Sequence, residues 1–305
     1  MEAQRIAGPR ARARLGATDL SVSRLAWGMW RFKGHDLAQA RALVDAALDS
    51  GINLFDTADI YGYSGRDGFG DAEKLLGRLF AGDPALRRAM VLASKGGIIP
   101  GVPYDSSADY LAAACEASLR RLGTDHLDLF QVHRPDVLTH PAEVARALES
   151  LVASGKVRSV GVSNYTPSQT AALLAHLAIP LASLQPEFSP LALEPLIDGT
   201  LDLAMQHGVG VLAWSPLAGG RIGTPGDDER AKHVCAELDV QAARWGVSRS
   251  ATAYSWLMAH PAGVIPIVGS QQASRIREAA DAYKVRWSRT DWYRVLVAAR
   301  GSALP

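Results

Sequence analysis

The chain has 305 residues, 48% of them hydrophobic, which is enough to bury a large core without disulfides or metal ions. Its 32 Lys and Arg balance 31 Asp and Glu, so it lacks the positive field that binds nucleic acid or an anionic membrane. Cys115 and Cys235 have no Cys or His cluster near either, so we expect no disulfide and no metal site, and a reducing cytoplasm fits best. No apolar run reaches the roughly 18 residues that span a bilayer.

Short apolar runs alternate with amphipathic segments along the chain. The runs predict eight strands, at residues 25–27, 52–55, 90–93, 127–132, 157–162, 184–185, 209–214 and 264–268. Apolar residues three and four apart predict helices at residues 37–48, 72–80, 108–122, 142–152, 168–177 and 201–207. Eight such units in about 250 residues favour a (β/α)8 TIM barrel, an α/β fold, over an open doubly wound sheet.

The two ends of the chain and one long segment complete the predicted architecture. After the seventh strand, residues 218–260 should begin as a loop over the barrel mouth and continue as helices at 230–245 and 250–258, with a last helix at 291–300. Before the first strand, two short runs around a turn predict a β-hairpin that closes the barrel floor, and residues 1–14 should be a flexible tail and the start of this hairpin. No linker-like stretch divides the chain, so we expect one domain over residues 1–305.

Polar residues stand at the ends of three neighbouring predicted strands. Asp56 ends the second strand, Tyr61 lies on the loop after it, and Lys95 and His133 end the third and fourth strands. Because the strands of a parallel barrel deliver their ends to one face, these four side chains should meet at the mouth. Each residue alone has an ordinary structural explanation, such as a turn or a packed ring, but the four together favour an active site.

The chemistry that suits this set is protonation of a carbonyl oxygen that gains negative charge. The Tyr61 phenol would donate the proton, and the Lys95 ammonium would lower the pKa of that phenol. Asp56 would keep Lys95 protonated, and His133 would donate a hydrogen bond to the carbonyl oxygen. None of these groups supplies electrons, so the reaction needs a hydride donor.

The usual dinucleotide fingerprint, G-x-G-x-x-G after a strand, is absent from the chain. Barrels often bind phosphate with the loops after the seventh and eighth strands instead. In this chain those loops are rich in Ser and Gly, and Arg275 follows on the first turn of a helix. We therefore predict an anion-binding cradle at these two loops.

Several segments together resemble the aldo-keto reductase superfamily, over about residues 15–283. They are Asp-Thr-Ala-Asp-Ile-Tyr-Gly at 56–62, the strand-end Lys95, and the segments at 128–136, 155–164 and 213–217. The match is nearer to bacterial members and the channel β-subunit-like branch than to mammalian aldose reductases. The resemblance implies a (β/α)8 barrel that reduces an aldehyde or ketone with a nicotinamide cofactor, usually NADPH. It also implies Tyr61 as proton donor, Lys95 and Asp56 as its tuning pair, and His133 as the residue that orients the carbonyl.

The resemblance further implies a set of cofactor contacts. Ser163, Asn164 and Gln185 would hold the nicotinamide carboxamide, Trp214 would stack on the ring, and Ser215, Pro216, Leu217, Ala218 and Gly219 would line the pyrophosphate. Gly269, Ser270 and Arg275 would meet the 2′-phosphate and Glu278 the adenine, while Met29, Trp30 and Asp56 match further contacts. Gln271 and Gln272 stand where the family often has Lys or Arg, and Ala279 where it often has Asn. NADH is therefore possible as a weaker cofactor.

Two other functions remain open for such a chain. A redox-sensing docking subunit, like the potassium-channel β-subunits, is disfavoured because those proteins carry Asn at the position of His133. A Schiff-base aldolase needs a Lys of depressed pKa, whereas Asp56 should raise the pKa of Lys95.

The expected partner is a small carbonyl compound, and Trp30, Tyr63 and Phe69 near the mouth favour an apolar or aromatic aldehyde. The sequence does not indicate whether the protein is a monomer or an oligomer.

Overall fold

A two-stranded hairpin lies near the start of the computed structural model, which describes residues 6, 8 and 11–305. Strand β1 (Arg12–Arg14) pairs antiparallel with β2 (Ser21–Ser23), as the sequence predicts. The other residues of the predicted tail, 1–5, 7, 9 and 10, lie outside the described residues. Leu15, Leu20 and Val22 are buried against apolar side chains from the barrel strands, so the hairpin closes the barrel floor.

In the described part of the chain, eight parallel strands form a closed barrel. They are β3 (Ala26–Gly28), β4 (Leu54–Asp56), β5 (Val91–Gly96), β6 (Leu127–Val132), β7 (Val157–Ser163), β8 (Leu181–Gln185), β9 (Gly210–Ala213) and β10 (Ile265–Val268). Each strand pairs with the next along the chain, and β10 pairs with β3 to close the ring. The predicted (β/α)8 barrel is confirmed. Strand β8 begins earlier than predicted, because Ala182 and Ser183 interrupt its apolar pattern.

Helices follow the strands and cover the outside of the barrel. They are α1 (Leu37–Asp49), α2 (Asp71–Gly82), α3 (Ala85–Arg88), α4 (Ala108–Leu122), α5 (Pro141–Ala153), α6 (Pro167–Leu174), α7 (Glu194–Ile197), α8 (Thr200–His207), α9 (Glu229–Trp245), α10 (Arg249–Met258), α11 (Ala273–Ala279) and α12 (Arg289–Arg300). Short 3-10 turns occupy Ala218–Gly220 and Ala280–Lys284. The sequence did not predict α3 and α7, which have four residues each and show no helical period.

Local sequence signals set several helix ends. The Thr166 side chain accepts from the Gln169 N–H, and the Gln169 side chain accepts from the Thr166 N–H, so this pair forms a capping box for α6. Gly123 ends α4 in the left-handed region at φ +64°, where a side chain would be strained. Among the described residues, no helix is both long enough and apolar enough to cross a membrane.

Two apolar clusters hold the barrel together. The larger one lies between the strands and the inner faces of the helices. The smaller one fills the lower half of the barrel, and it combines the hairpin residues with strand residues such as Leu54, Leu129 and Leu212. Because apolar side chains fill the floor, the polar strand-end residues are left together at the opposite, carboxyl-terminal mouth.

Candidate active site

Lys95 is the centre of a buried polar cluster at the barrel mouth. Its Nζ donates to Asp56 Oδ2 at 2.7 Å, to the Thr57 carbonyl at 3.0 Å and to the Tyr61 hydroxyl at 3.2 Å. Lys95 is fully buried and Asp56 is 2% exposed. The structure thus brings together three of the residues that the sequence singled out, with the ammonium between the carboxylate and the phenol.

Strand geometry explains why these side chains meet. Strands β4 and β5 pair in parallel with Asp56 opposite Ala93, so Lys95 lies two residues further towards the mouth. The chain after β4 stays paired with β5, because the Asp59 N–H donates to the Lys95 carbonyl at 3.0 Å. The Tyr61 carbonyl then accepts from the Ala72 N–H of α2 at 3.1 Å, which fixes the segment that carries the phenol.

A second polar layer supports Asp56 from the far side of the barrel. Its Oδ1 accepts from Gln185 Nε2 at 2.9 Å and from Gln131 Nε2 at 3.3 Å. Ser183 Oγ donates to Gln131 Oε1 at 3.1 Å. Gly161 makes room for this contact, since a Cβ there would collide with Ser183 Oγ.

Sequence reasoning missed Gln131 and Ser183. The available signal was a glutamine inside the otherwise apolar end of β6, at a position whose side chain faces the barrel interior. Gln185, by contrast, was expected to hold a nicotinamide carboxamide, and the structure also engages its amide with Asp56.

His133 completes the cluster at the end of β6. The backbone N–H of His133 donates to the Gly96 carbonyl at 2.8 Å. The imidazole ring stands edge-on to the Tyr61 ring, with the ring centroids 5.8 Å apart. Nδ1 is buried and has no hydrogen-bond partner among the described residues, so Nε2 is the nitrogen through which the ring can reach a ligand. The imidazole therefore points a donor or acceptor atom to the place where the phenol also lies.

The protonation states follow from burial and neighbouring charges. Burial lowers the pKa of His133 well below its usual value, and the Lys95 charge lowers it further, so the imidazole is neutral at pH 7. Burial also lowers the pKa of Lys95, but Asp56 and Tyr61 outweigh this effect and the net pKa is raised. Lys95 is therefore a stable ammonium.

Tyr61 differs in part from the sequence-based expectation. Lys95 does lower the pKa of the phenol, but burial has the larger effect and the net pKa lies above its usual value. Tyr61 therefore keeps its proton at neutral pH, and Lys95 is placed to stabilise the phenolate that forms when the proton leaves.

A hydrogen-bonded group at the ends of β7 and β9 lies beside this cluster. Asn164, which has a left-handed backbone (φ +61°), donates through Nδ2 to the His133 carbonyl at 3.0 Å and to Ser163 Oγ at 2.8 Å. Its Oδ1 accepts from Trp214 Nε1 at 2.9 Å. Ser163 Oγ donates to the Gln185 carbonyl at 3.0 Å. The expected nicotinamide residues Ser163, Asn164, Gln185 and Trp214 are thus connected to one another.

The loop after β9 has an uncommon backbone conformation. Ser215 and Ala218 have positive φ values of 51° and 52°, which are uncommon for residues with a side chain. The Gly219 N–H donates to Ser215 Oγ at 2.8 Å. Pro216 and Leu217 lie between them, so the whole expected pyrophosphate segment forms one tight turn.

The loop after β10 is fixed to β3 and carries the expected 2′-phosphate residues. The Ser270 carbonyl accepts from Trp27 Nε1 at 3.0 Å, and Gln271 Nε2 donates to the Gly28 carbonyl at 3.1 Å. Gln271 Oε1 is buried without a partner among the described residues, Arg275 is exposed on α11, and a Cβ at Gly269 would meet open space. The exposed Arg275 cation and the open cradle at Gly269 fit a phosphorylated cofactor.

Three other expected contacts have different surroundings. Met29 is fully buried behind the mouth, where its N–H donates to the Asp56 carbonyl at 2.9 Å. Trp30 is 64% exposed with the Arg31 guanidinium over its ring. Glu278 is half-buried one turn after Arg275 on α11.

Several known proteins are similar to this chain in sequence or in structure. The model of the Aldo/keto reductase family matches residues 24–296. The chain is 58% identical to the 6-dehydroglucose reductase of Novosphingobium aromaticivorans over 97% of this chain and 98% of that protein. It is 37% identical to the 6-dehydroglucose reductase of Agrobacterium fabrum over 92% of this chain and 96% of that protein. The structure also superimposes on the crystal structure of a thermostable aldo-keto reductase in complex with the inhibitor epalrestat, with a TM-score of 0.80. The match covers 95% of this chain and 100% of that chain at 23% sequence identity, which shows the same fold.

The barrel and these relatives identify the protein as an oxidoreductase that reduces carbonyl compounds. Enzymes of this class generally use NAD(P)H as the reductant. The chain belongs to the aldo/keto reductase family. The family that the sequence resembled is therefore confirmed.

Proposed function

We propose that the protein reduces the aldehyde of a hydroxylated, sugar-like substrate to an alcohol, with NADPH as reductant. The observation that carries the chemistry is the hydrogen bond from Lys95 Nζ to the Tyr61 hydroxyl, with Asp56 on the other side of the ammonium. When bound, NADPH would supply the hydride for the carbonyl carbon. The Tyr61 phenol gives its proton to the carbonyl oxygen and is protonated again from solvent.

The remaining cluster residues orient the substrate and stabilise charge. Lys95 stabilises the Tyr61 phenolate after proton transfer, and Asp56 keeps Lys95 protonated throughout. Neutral His133 donates from Nε2 to the carbonyl oxygen and aligns it with the phenol. Because these groups are fixed before the substrate arrives, little reorganisation accompanies the reaction.

The cofactor would lie along the ends of β7 to β10. Ser163, Asn164 and Gln185 would hold its carboxamide, Trp214 would cover the nicotinamide, and residues 215–219 would line the pyrophosphate. Gly269, Ser270 and Arg275 would bind the 2′-phosphate, with Glu278 near the adenine. The exposed Arg275 guanidinium supports NADPH over NADH, and the neutral Gln271 and Gln272 keep the preference moderate.

Two observations support a hydroxylated substrate over the apolar aldehyde that the aromatic residues favoured. The two reductases compared above, at 58% and 37% identity, are both named for 6-dehydroglucose. In this chain Arg134 follows His133 at the mouth, and its charge acts on His133, Tyr61 and Glu187 from different strand ends. The half-buried Arg134 and the exposed Glu187 offer a donor and an acceptor, which suit hydroxyl groups. Phe69 lies over the Arg121 guanidinium of α4, at 5.8 Å, which gives this ring a structural role.

The other functions have less support. An aldolase would need a neutral Lys95, whereas its pKa is raised. A docking subunit is disfavoured because the potassium-channel β-subunits carry Asn at the position of His133. We also propose a single-domain enzyme of the cytoplasm, which fits two buried, unpaired cysteines.

The test is NADPH oxidation by the purified protein with 6-dehydroglucose, simpler hydroxyaldehydes and benzaldehyde. We expect the largest kcat/KM for 6-dehydroglucose and the smallest for benzaldehyde. The reverse order would overturn the substrate class, and no oxidation with any carbonyl would overturn the reductase. Borohydride trapping of a carbonyl compound on wild type but not on Lys95→Met would favour the aldolase.

A further inference from the structure

A second buried carboxyl group, Asp59, lies directly behind the reaction centre. It is 1% exposed, and neither of its side-chain oxygens has a hydrogen-bond partner among the described residues. Asp59 Oδ2 lies on the outer side of β5, 3.5 Å from the position of a Cβ on Gly96. The same position is 3.0 Å from Ala114 Cβ and from Phe130 Cζ, so the carboxyl group lies in a closely packed, mostly apolar layer.

The charged groups around Asp59 do not compensate a negative charge on it. Glu73 of α2 is fully buried, and it accepts from Ser94 Oγ at 2.5 Å and from Arg121 Nε at 2.6 Å. The Arg121 cation of α4 is thus already paired with the Glu73 anion. A second carboxylate in this layer would leave it with a net negative charge far from water, which is costly.

The remaining titratable neighbours do not change this balance. Lys95 of β5 lies on the opposite, inner side of the strand and is paired with Asp56. Tyr110 of α4 is the other ionisable neighbour, and Asp59 contributes to raising its pKa to about 12, after burial. The phenol therefore stays neutral and offers Asp59 no positive charge.

Asp59 also lies where the Tyr61 segment is attached to Lys95. The Asp59 N–H donates to the Lys95 carbonyl at 3.0 Å, and the Lys95 Nζ donates back to the Thr57 carbonyl at 3.0 Å. These two bonds hold the start of the loop that carries Tyr61 against β5. A displacement of Asp59 would therefore change the distance between the Tyr61 hydroxyl and Lys95 Nζ.

We propose that Asp59 works as an un-ionised carboxylic acid, and that in this form it is a positioning residue that keeps the Tyr61 segment docked on Lys95. Loss of its proton would place an unpaired charge beside Glu73 and push the segment away from the barrel. The inference rests on the proposed reductase activity for its effect on turnover, but the protonation of Asp59 can be measured without any substrate.

The pKa of Asp59 fixes the expected pH range. Burial raises this pKa to about 8, Glu73 contributes in the same direction, and the Arg121 and Lys95 charges oppose this shift only in part. In the unfolded chain the value is about 3.9, so the unfolded state loses this proton first. Stability that Asp59 contributes is therefore fully present below about pH 4 and is lost as the pH rises to about 8.

The first experiment compares the melting temperatures of wild type and Asp59→Asn between pH 4.5 and 9. Asparagine has the shape of the acid but no proton to lose, so the variant should gain stability relative to wild type as the pH rises. Asp109→Asn, on the exposed side of α4, is the matched control and should follow wild type at every pH. A constant difference between Asp59→Asn and wild type would overturn the proposal, because it would mean that Asp59 is ionised across this range.

The second experiment follows kcat and KM against pH with NADPH and the best aldehyde. If activity follows the neutral acid, wild-type kcat should fall about tenfold from its plateau by pH 9, while Asp59→Asn keeps its kcat with an unchanged KM. Glu73→Gln removes a charge that opposes ionisation, so the fall should move to lower pH. An Asp59→Asn profile identical to that of wild type would overturn the positioning role. Absence of turnover in wild type would refute the reductase instead, so the two failures are distinguishable.

If Asp59→Asn does not fold, infrared spectroscopy of wild type provides a second readout. The carbonyl stretch of a protonated carboxylic acid should be present at pH 6.5, shift in D2O and disappear near pH 9. In Glu73→Gln it should disappear at lower pH. Lack of such a band at pH 6.5 would overturn the proposal.

Discussion

The Tyr61 hydroxyl is a single atom whose removal separates chemistry from binding. Tyr61→Phe keeps the ring and its edge-on contact with His133 but deletes the proton donor. We expect kcat to fall by at least about 10²-fold, the usual contribution of one positioned acid. NADPH affinity should stay the same, because the hydroxyl contacts Lys95 and not the cofactor loops. Stopped-flow turnover and a fluorescence titration of NADPH measure the two effects, and near wild-type kcat would refute the assignment.

We propose that Lys95 has both a chemical and a structural role, so one substitution should affect both. Lys95→Met keeps a long, unbranched side chain but removes the charge between Asp56 and Tyr61. Reduction should be lost, because no ammonium stabilises the phenolate. Asp56 would remain buried with only the amides of Gln131 and Gln185, so unfolding should become easier by a few kcal/mol. Urea unfolding checks this result, and an unchanged midpoint would mean that the pair adds no net stability.

The elements were predicted from the sequence to different extents. Buried parallel strands appear as apolar runs and long helices show a 3.6-residue period, so β6 and α4 match their predicted bounds. The helix ends show a limit, because α5, predicted from residue 142, begins at Pro141, where the His140 side chain accepts from the Ala142 N–H. Likewise α2, predicted from residue 72, begins at Asp71. Such one-residue differences depend on side-chain geometry that composition does not show.

The site shows the same division between local and long-range information. Asp56, Lys95 and His133 could be found because each ends a strand in its own stretch of sequence. The hydrogen bonds of Gln131 and Ser183 connect strands that are 52 residues apart, and no local pattern encodes them. The burial of Asp59 was not predicted either, because it depends on α2 and α4 covering the outside of β5.

Helix α11 and the loop before it should determine the choice of cofactor. Arg275 can form charge-assisted hydrogen bonds to the 2′-phosphate that NADH lacks, each worth about 1.5 to 3 kcal/mol. We therefore expect NADPH to bind at least roughly tenfold more tightly than NADH. Arg275→Ala should weaken NADPH far more than NADH and bring the two affinities together. Arg277→Ala, an exposed residue on the same helix, is the control. Equal losses for both cofactors in Arg275→Ala would show that this residue does not recognise the 2′-phosphate.

At the scale of the whole molecule, the two ends of the barrel have separate roles. Leu15 is fully buried in the floor, on the opposite side from the active site. Leu15→Ala should reduce the free energy of unfolding by about 2 to 5 kcal/mol, because it leaves a cavity in a packed cluster. The exposed Val240→Ala on α9 should cost almost nothing. Urea unfolding measures both, and kcat at 25 °C should be unchanged; a large loss of kcat in Leu15→Ala would show that the floor and the mouth are coupled.

Asn164 joins the two halves of the mouth, and this has a thermodynamic consequence. Its amide holds the backbone of His133 on one side and the indole of Trp214 on the other. If the nicotinamide binds against Trp214 as we propose, it would also order His133, the residue proposed to orient the carbonyl compound. Linkage makes such an effect reciprocal, so any factor by which the cofactor tightens substrate binding is also the factor by which the substrate tightens cofactor binding. Cooperativity between the two ligands would then depend on this one side chain.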